Sequence, residues 1–241
     1  MKWIFILKHF VLQKMELALN YTKKAMDIRR LHFKESHPEI ADSLNSLANI
    51  YILQGNLKEA EELLLKALDI REKSLGRNHP KVSASLVNLA ALYRQQGFND
   101  KVEPLLLRSL QIDQKSLGKE HPEVANDLNH LGIFYKDVKD YKKAEDCYLQ
   151  SLEIKIKILG KRHLKIAVTK NNLGLLYVLM GKPNEASANF EEAIDILEET
   201  LGEKHKMLIP FLENYADFLE KQNFNLEAGS VRKRIKIIEN Q

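Results

Sequence analysis

SLGRNH (74–79), SLGKEH (116–121), ILGKRH (158–163) and TLGEKH (200–205) set a glycine and a histidine 42 residues apart, and with His37 the histidine register runs through five copies. A fixed internal period of this length marks one supersecondary unit copied along an axis, each copy burying its apolar face against the next. Other columns keep the period. Leu47, Leu89, Leu131 and Leu173 are followed by Ala48, Ala90, Gly132 and Gly174, then by Tyr51, Tyr93, Tyr135 and Tyr177. Ala60, Ala144, Ala186 and Ala228 fill a further column.

Within one unit, residues 37–54 carry apolar side chains at Ile40, Leu44, Leu47, Ala48 and Tyr51. Residues 57–75 carry them at Leu57, Ala60, Leu63, Leu64, Ala67, Leu68 and Leu75. Steps of three and four predict two amphipathic helices, A and B. Gln54-Gly55-Asn56 is the turn between them, its glycine suited to a left-handed cap; Gly97 and Gly181 recur there, and Lys139 and Asn223 replace it in other copies. Pro38, Pro80 and Pro122 suit the first position of helix A, with the preceding histidine at its cap, and Gly76 ends the previous helix.

LANIY (47–51), LAALY (89–93), LGIFY (131–135) and LGLLY (173–177), with Ala60/Ala67, Ala186/Ala193 and Ala144/Ser151 in helix B, resemble the tetratricopeptide repeat. The 42-residue period and the Leu-Gly-x-x-His-Pro junction are similar to the kinesin light chain subtype. The resemblance implies an all-α, right-handed superhelical solenoid of antiparallel helix hairpins. Its units would be 37–78, 79–120, 121–162 and 163–204. Residues 1–36 would form a degenerate opening repeat, with 1–13 a shortened first helix and 15–33 its second, and 205–241 a divergent capping repeat. The resemblance further implies a peptide-binding face on the A helices. No heptad coiled coil precedes the repeats, so a kinesin heavy chain is not an expected partner.

The composition is that of an ordinary globular chain: 241 residues, 44% hydrophobic and 29% charged. A net charge of +4 is too small at this length to imply nucleic-acid binding. One cysteine, Cys147, excludes an intramolecular disulfide and fits a reducing, cytoplasmic setting. The apolar run Trp3–Leu7 stops at Lys8, short of a secretory signal, and no stretch is long enough to span a membrane.

No nucleotide, zinc or protease motif is present, so neither an enzyme nor a cofactor is expected. Histidines one period apart recur about 10 Å or more from one another, too far to share a metal, and read as caps. Cys147 stands where Leu63 and Leu105 stand, a packed thiol rather than a nucleophile. Phe134, Tyr141 and Tyr148 read as packing residues. Lys155, Lys157, Lys161, Arg162 and Lys165 form the densest basic stretch and read as a solvated helix end.

Function is expected on the A helices, beside the leucine column. Asn88 and Asn172 precede the leucine directly, Asn214 precedes the same slot in the last repeat, and Asn45, Asn129 and Asn171 stand one residue earlier. Asparagine is a poor helix-interior residue, yet it donates and accepts at once and so suits an extended backbone. The candidate peptide contacts are Asn45, Asn49, Asn88, Arg94 and Asn126 in the earlier repeats. Asn129, His130, Lys136, Asn171 and Asn172 continue the set. By the resemblance, Arg94 and Lys136 would receive the acidic residues of a peptide partner, while Glu213, Asp217 and Glu220 turn the last repeat acidic. This reads as a protein-binding adaptor or scaffold; the alternative is a structural or regulatory array associating through its ends or convex face.

Overall fold

The computed structural model describes the backbone of residues 2–240 and the side chains of 14 and 16–240. Among these it is helical and without strands. The helices are α1 (Lys2–His32), α2 (Pro38–Gln54), α3 (Leu57–Leu75), α4 (Pro80–Gln96), α5 (Asn99–Leu117) and α6 (Pro122–Asp137). They continue as α7 (Tyr141–Leu159), α8 (Leu164–Leu179), α9 (Pro183–Leu201), α10 (Ile209–Lys221) and α11 (Asn225–Glu239). A single 3-10 turn, Lys206–Leu208, leads into α10. Residues 2–13 run into α1 without a break, so the shortened first helix expected there is one with the second. The side chains of Trp3–Leu7 lie outside the described residues.

The chain divides into two compact units, residues 1–118 and 119–241. In the first, α2 packs on α3 and α4 on α5, while α1 covers α2 and α3 covers α4. In the second, the hairpins are α6/α7, α8/α9 and α10/α11, with α7 on α8 and α9 on α10; the A helices α6, α8 and α10 lie side by side.

The junction residues do what their spacing predicts. His37, His79, His121, His163 and His205 each accept, through Nδ1, from the backbone N–H two residues on, at 3.1–3.2 Å. Each thus satisfies one of the N–H groups that a helix start leaves without an intrahelical partner. At the A–B turn the backbone is left-handed whatever residue is present: Gly55 and Gly97 adopt φ of 82° and 79°, and Lys139 and Asn223 are forced to 65°.

The leucine column is buried throughout, and the tyrosine column gains a second role. Tyr93 Oη donates to Glu61 Oε1 at 2.8 Å, tying α4 to the preceding B helix. Tyr177 bonds Glu145 in the same way, and burial together with that carboxylate pushes both phenols up to about 12. Gly132 and Gly174 sit against the fully buried rings of Tyr148 and Phe190; a Cβ on Gly132 would lie 2.5 Å from Tyr148 Cε1.

Candidate functional site

In the unit 1–118, the candidate residues separate. Asn45 is only 7% exposed. With its amide oxygen turned to Arg71, it accepts from both terminal guanidinium nitrogens at 2.8 Å. Arg71 also meets Asp42 Oδ1 at 2.5 Å and Ser85 Oγ at 2.6 Å, so Asn45 belongs to an internal polar network and is corrected here from a peptide contact to a core residue. Asn49 is exposed on α2, Asn88 half-buried on α4, and Arg94 exposed one and a half turns further along α4.

In the unit 119–241, four asparagines come together as two rungs. Asn172 Nδ2 donates to Asn129 Oδ1 at 3.3 Å, linking α8 to α6. Asn214 Nδ2 donates to Asn171 Oδ1 at 3.2 Å, linking α10 to α8. Each rung joins the residue before the leucine to the earlier column of the previous repeat, a step of 43 rather than 42. One rung uses one of two N–H bonds on the donor amide and one of two lone pairs on the acceptor, so every asparagine keeps hydrogen-bonding capacity. Half-buried Ile133, Leu175 and Val178 follow the asparagines at helical spacing and give the same face an apolar floor.

The flanks differ from expectation. Asn126 donates to Glu123 Oε2 at 3.1 Å, and Lys136 Nζ lies 3.9 Å from Asp137 Oδ1; His130 is half-buried on α6. The acidic end is partly neutralised. Arg232 of α11 bonds Glu220 Oε1 at 3.1 Å and also holds Asp217, leaving Glu213 exposed.

Sequence reasoning missed one column that is buried at every copy but the first. Arg29, Arg71, Asp113, Lys155 and Leu197 are one period apart, and Lys155, read as part of a solvated helix end, is 5% exposed. It donates from Nζ to Thr169 Oγ1 at 2.8 Å, and burial, with Lys165 nearby, lowers its ammonium to about 8. The rest of that basic stretch is at the surface, with Lys157 paired to Glu120 and Arg162 to Glu199. Burial and the neighbouring Asp146 push the Cys147 thiol up to about 11, so it is protonated at neutral pH and poorly suited to nucleophilic work.

The tetratricopeptide repeat pattern matches residues 9–73, 39–115, 81–155 and 127–199. The chain belongs to the tetratricopeptide repeat family. Comparison with curated protein sequences gave no match. Among solved structures, BtubC (BKLC) of P. vanneervenii is 23% identical with a TM-score of 0.77, over 94% of this chain and 91% of that one. The kinesin-light-chain-type protein of Podosopora anserina, with nearly identical TPR-like repeats, is 26% identical with a TM-score of 0.70, over 84% and 96%. The apo form of RapI shares the fold at 16% identity and a TM-score of 0.66, over 100% and 98%. The tetratricopeptide assignment and the Podosopora anserina neighbour agree with the kinesin-light-chain-like subtype read from the 42-residue period. Such a repeat array is a scaffold suited to protein–protein interaction, and among the described residues no helix is long and apolar enough to cross a membrane.

Proposed function

We propose that this chain is a non-enzymatic adaptor of the cytoplasm that holds an extended peptide of a partner protein along the A helices. In the unit 119–241 that face is made by α6, α8 and α10. One observation carries the reading: two asparagine rungs stand over the apolar floor of Ile133, Leu175 and Val178, already oriented by one hydrogen bond each and with capacity to spare. A pre-oriented amide loses less side-chain freedom on binding than a mobile one, and amide-to-backbone bonding tolerates variation in peptide sequence. Lys136 on α6 supplies a cationic contact there that favours acidic peptides, as Arg94 on α4 does in the unit 1–118. The kinesin-light-chain-type neighbour supports the comparison.

The test is a peptide array followed by calorimetry on the best ligand, with Asn129→Ala and Asn172→Ala combined. At a net 0.5–1.5 kcal/mol per hydrogen bond, the pair of changes weakens binding by about 10- to 100-fold with helicity retained. Affinity that survives in a folded double variant removes the face from consideration.

A second reading is favoured by α1. Leu17, Tyr21, Ile28 and Leu31 are 53%, 63%, 57% and 81% exposed on one stripe, opposite the core-facing Leu19 and Met26. A stripe of this kind supports association through the end of the array. Sedimentation of Ile28→Lys beside the parent chain tests it: equal molecular masses at all concentrations rule out self-association there.

A further inference from the structure

The column of Arg29, Arg71 and Lys155, half-buried at Arg29 and buried at the other two, carries a charge imbalance that points to a ligand. Arg29 donates to Ser43 Oγ at 2.6 Å, and its charge is met by Glu39, 3.5 Å from Nε, at the start of α2. Arg71 donates to Ser85 Oγ at 2.6 Å, and its charge is met by Asp42 of α2, whose other oxygen accepts from Lys81 Nζ at 3.2 Å. The Asp42 carboxylate is therefore clasped by two cations, one buried and one at the surface, and its side chain is still 31% exposed.

The third hairpin repeats the cations and the hydroxyl of this arrangement but not the acid. Two periods on, Arg71 becomes Lys155, Ser85 becomes Thr169, Lys81 becomes Lys165, and Asp42 becomes Asn126. Lys155 Nζ reaches Thr169 as Arg71 reaches Ser85, and Lys165 lies close enough to act on the Lys155 ammonium as a like charge. Asn126 is half-buried, and its Nδ2, bonded to Glu123 Oε2, carries a second hydrogen. The position ten residues after the buried cation, where Arg29 finds Glu39, is here Lys165 itself. Neither place that supplies an acid elsewhere supplies one to Lys155. A buried cation without a counter-ion is costly, and a second cation beside it raises the cost.

We propose that Lys155, Lys165, Thr169 and Asn126 form a carboxylate-binding site between α6, α7 and α8, occupied by an aspartate or glutamate side chain of the bound partner. The incoming carboxylate takes the place that Asp42 holds in the first hairpin. Its oxygens accept from the two lysines, and Asn126, uncharged where an aspartate would repel the ligand, donates. This inference rests on the peptide-binding reading and specifies its chemistry: the partner segment is acidic where it crosses from α6 to α8.

The experiment uses the full chain with fluorescein-labelled hexaglutamate as probe, read by anisotropy, and with Lys155 followed by NMR of its Cε and Hε signals. Hexaglutamate shifts the Lys155 signals in the parent chain. Asn126→Asp, which rebuilds the internal acid of the first hairpin, raises the melting temperature without probe and weakens probe binding about tenfold or more; Lys155→Met weakens it equally. Lys157→Met, at an exposed lysine paired with Glu120, changes it less than about twofold. Absence of binding, unmoved Lys155 signals, or affinity retained in either Asn126→Asp or Lys155→Met overturns the site. A natural partner peptide that loses affinity with Asn129→Ala/Asn172→Ala but not with Asn126→Asp overturns this site and leaves the peptide-binding reading intact. Probe binding that depends on Lys155, beside a partner insensitive to the asparagine rungs, does the reverse.

Discussion

Gly132→Ala is expected to destabilise the protein although alanine is the better helix former. Glycine to alanine within a helix gains about 0.5–1 kcal/mol. Against that, the new methyl group would lie 2.5 and 2.6 Å from Cε1 and Cδ1 of Tyr148, a ring with no exposed surface into which to retreat. Overpacking of this kind costs about 1–3 kcal/mol, so the net loss is about 0–2.5 kcal/mol, centred on about 1 kcal/mol. The same two columns hold Ala48 with Leu64 and Ala90 with Leu106, and Gly174 with Phe190. Glycine thus goes with an aromatic ring and alanine with leucine. In a Tyr148→Leu background, Gly132→Ala is therefore expected to stabilise by about 0.5–1 kcal/mol, giving a coupling of about 1–3 kcal/mol between the two sites. Urea unfolding of the parent, both single variants and the double variant, followed by circular dichroism, measures it. A Gly132→Ala effect that agrees in the two backgrounds within about 0.3–0.5 kcal/mol refutes the steric argument.

His79→Ala removes the cap acceptor of α4 and costs about 0.5–2 kcal/mol, while His79→Asn keeps an acceptor and costs less; equal losses in urea unfolding count against the cap role. Lys139→Gly relieves a left-handed backbone at φ 65° and raises stability by about 1 kcal/mol, readable as an upward shift in melting temperature. Lys155→Met stabilises the ligand-free chain at pH 7. The native Lys155 holds its proton only to about pH 8, against 10.5 for the free side chain, so the unfolded chain binds more protons between these values and the native state gains stability as pH rises through them. The advantage of Lys155→Met is then up to about 3 kcal/mol below pH 8 and shrinks towards pH 10.5. Referring each measurement to Lys155→Met at the same pH removes the opposing contribution of Tyr93 and Tyr177, whose raised pKa values lower stability above about pH 10. A difference that is flat from pH 7 to 10.5 shows that Lys155 is not buried as described.

The helices, their turns and their caps were legible because each depends on residues a few positions apart, and the 42-residue period shows each dependence several times over. The side-chain partners were not legible in the same way. Reading columns vertically makes Asn129, Asn171, Asn172 and Asn214 a ladder of independent contacts, whereas the bonds run diagonally at a step of 43. Asn45 was misplaced for a related reason. Its burial is set by Arg71, 26 residues on, and no helical period connects the two. Lys155 reads as a surface lysine because four neighbours in sequence are basic, although its column places another long cation, Arg71, inside.

Columns that break their pattern are therefore informative in pairs. Gly132 departs from alanine and Tyr148 departs from leucine, and the two changes fit each other in volume. Asp42 and Arg71 fit each other in charge. At the last hairpin, Arg232 takes the slot of Tyr148 and Phe190, and Asp217 and Glu220 are there to bind it. In each case a change that would be costly alone is offset within the chain. Lys155 stands where Arg71 stands, Asn126 where Asp42 stands, and Lys165 adds a second positive charge, without an offsetting acid in either register position that supplies one elsewhere. A buried, uncompensated cation is the kind of cost that a fold keeps when binding removes it. On the proposed reading, the acidic segment of a partner would supply the missing half of the pair; the specificity of this array would then lie in the charge pattern between α6, α7 and α8, and the asparagine rungs would hold the peptide backbone whatever its sequence.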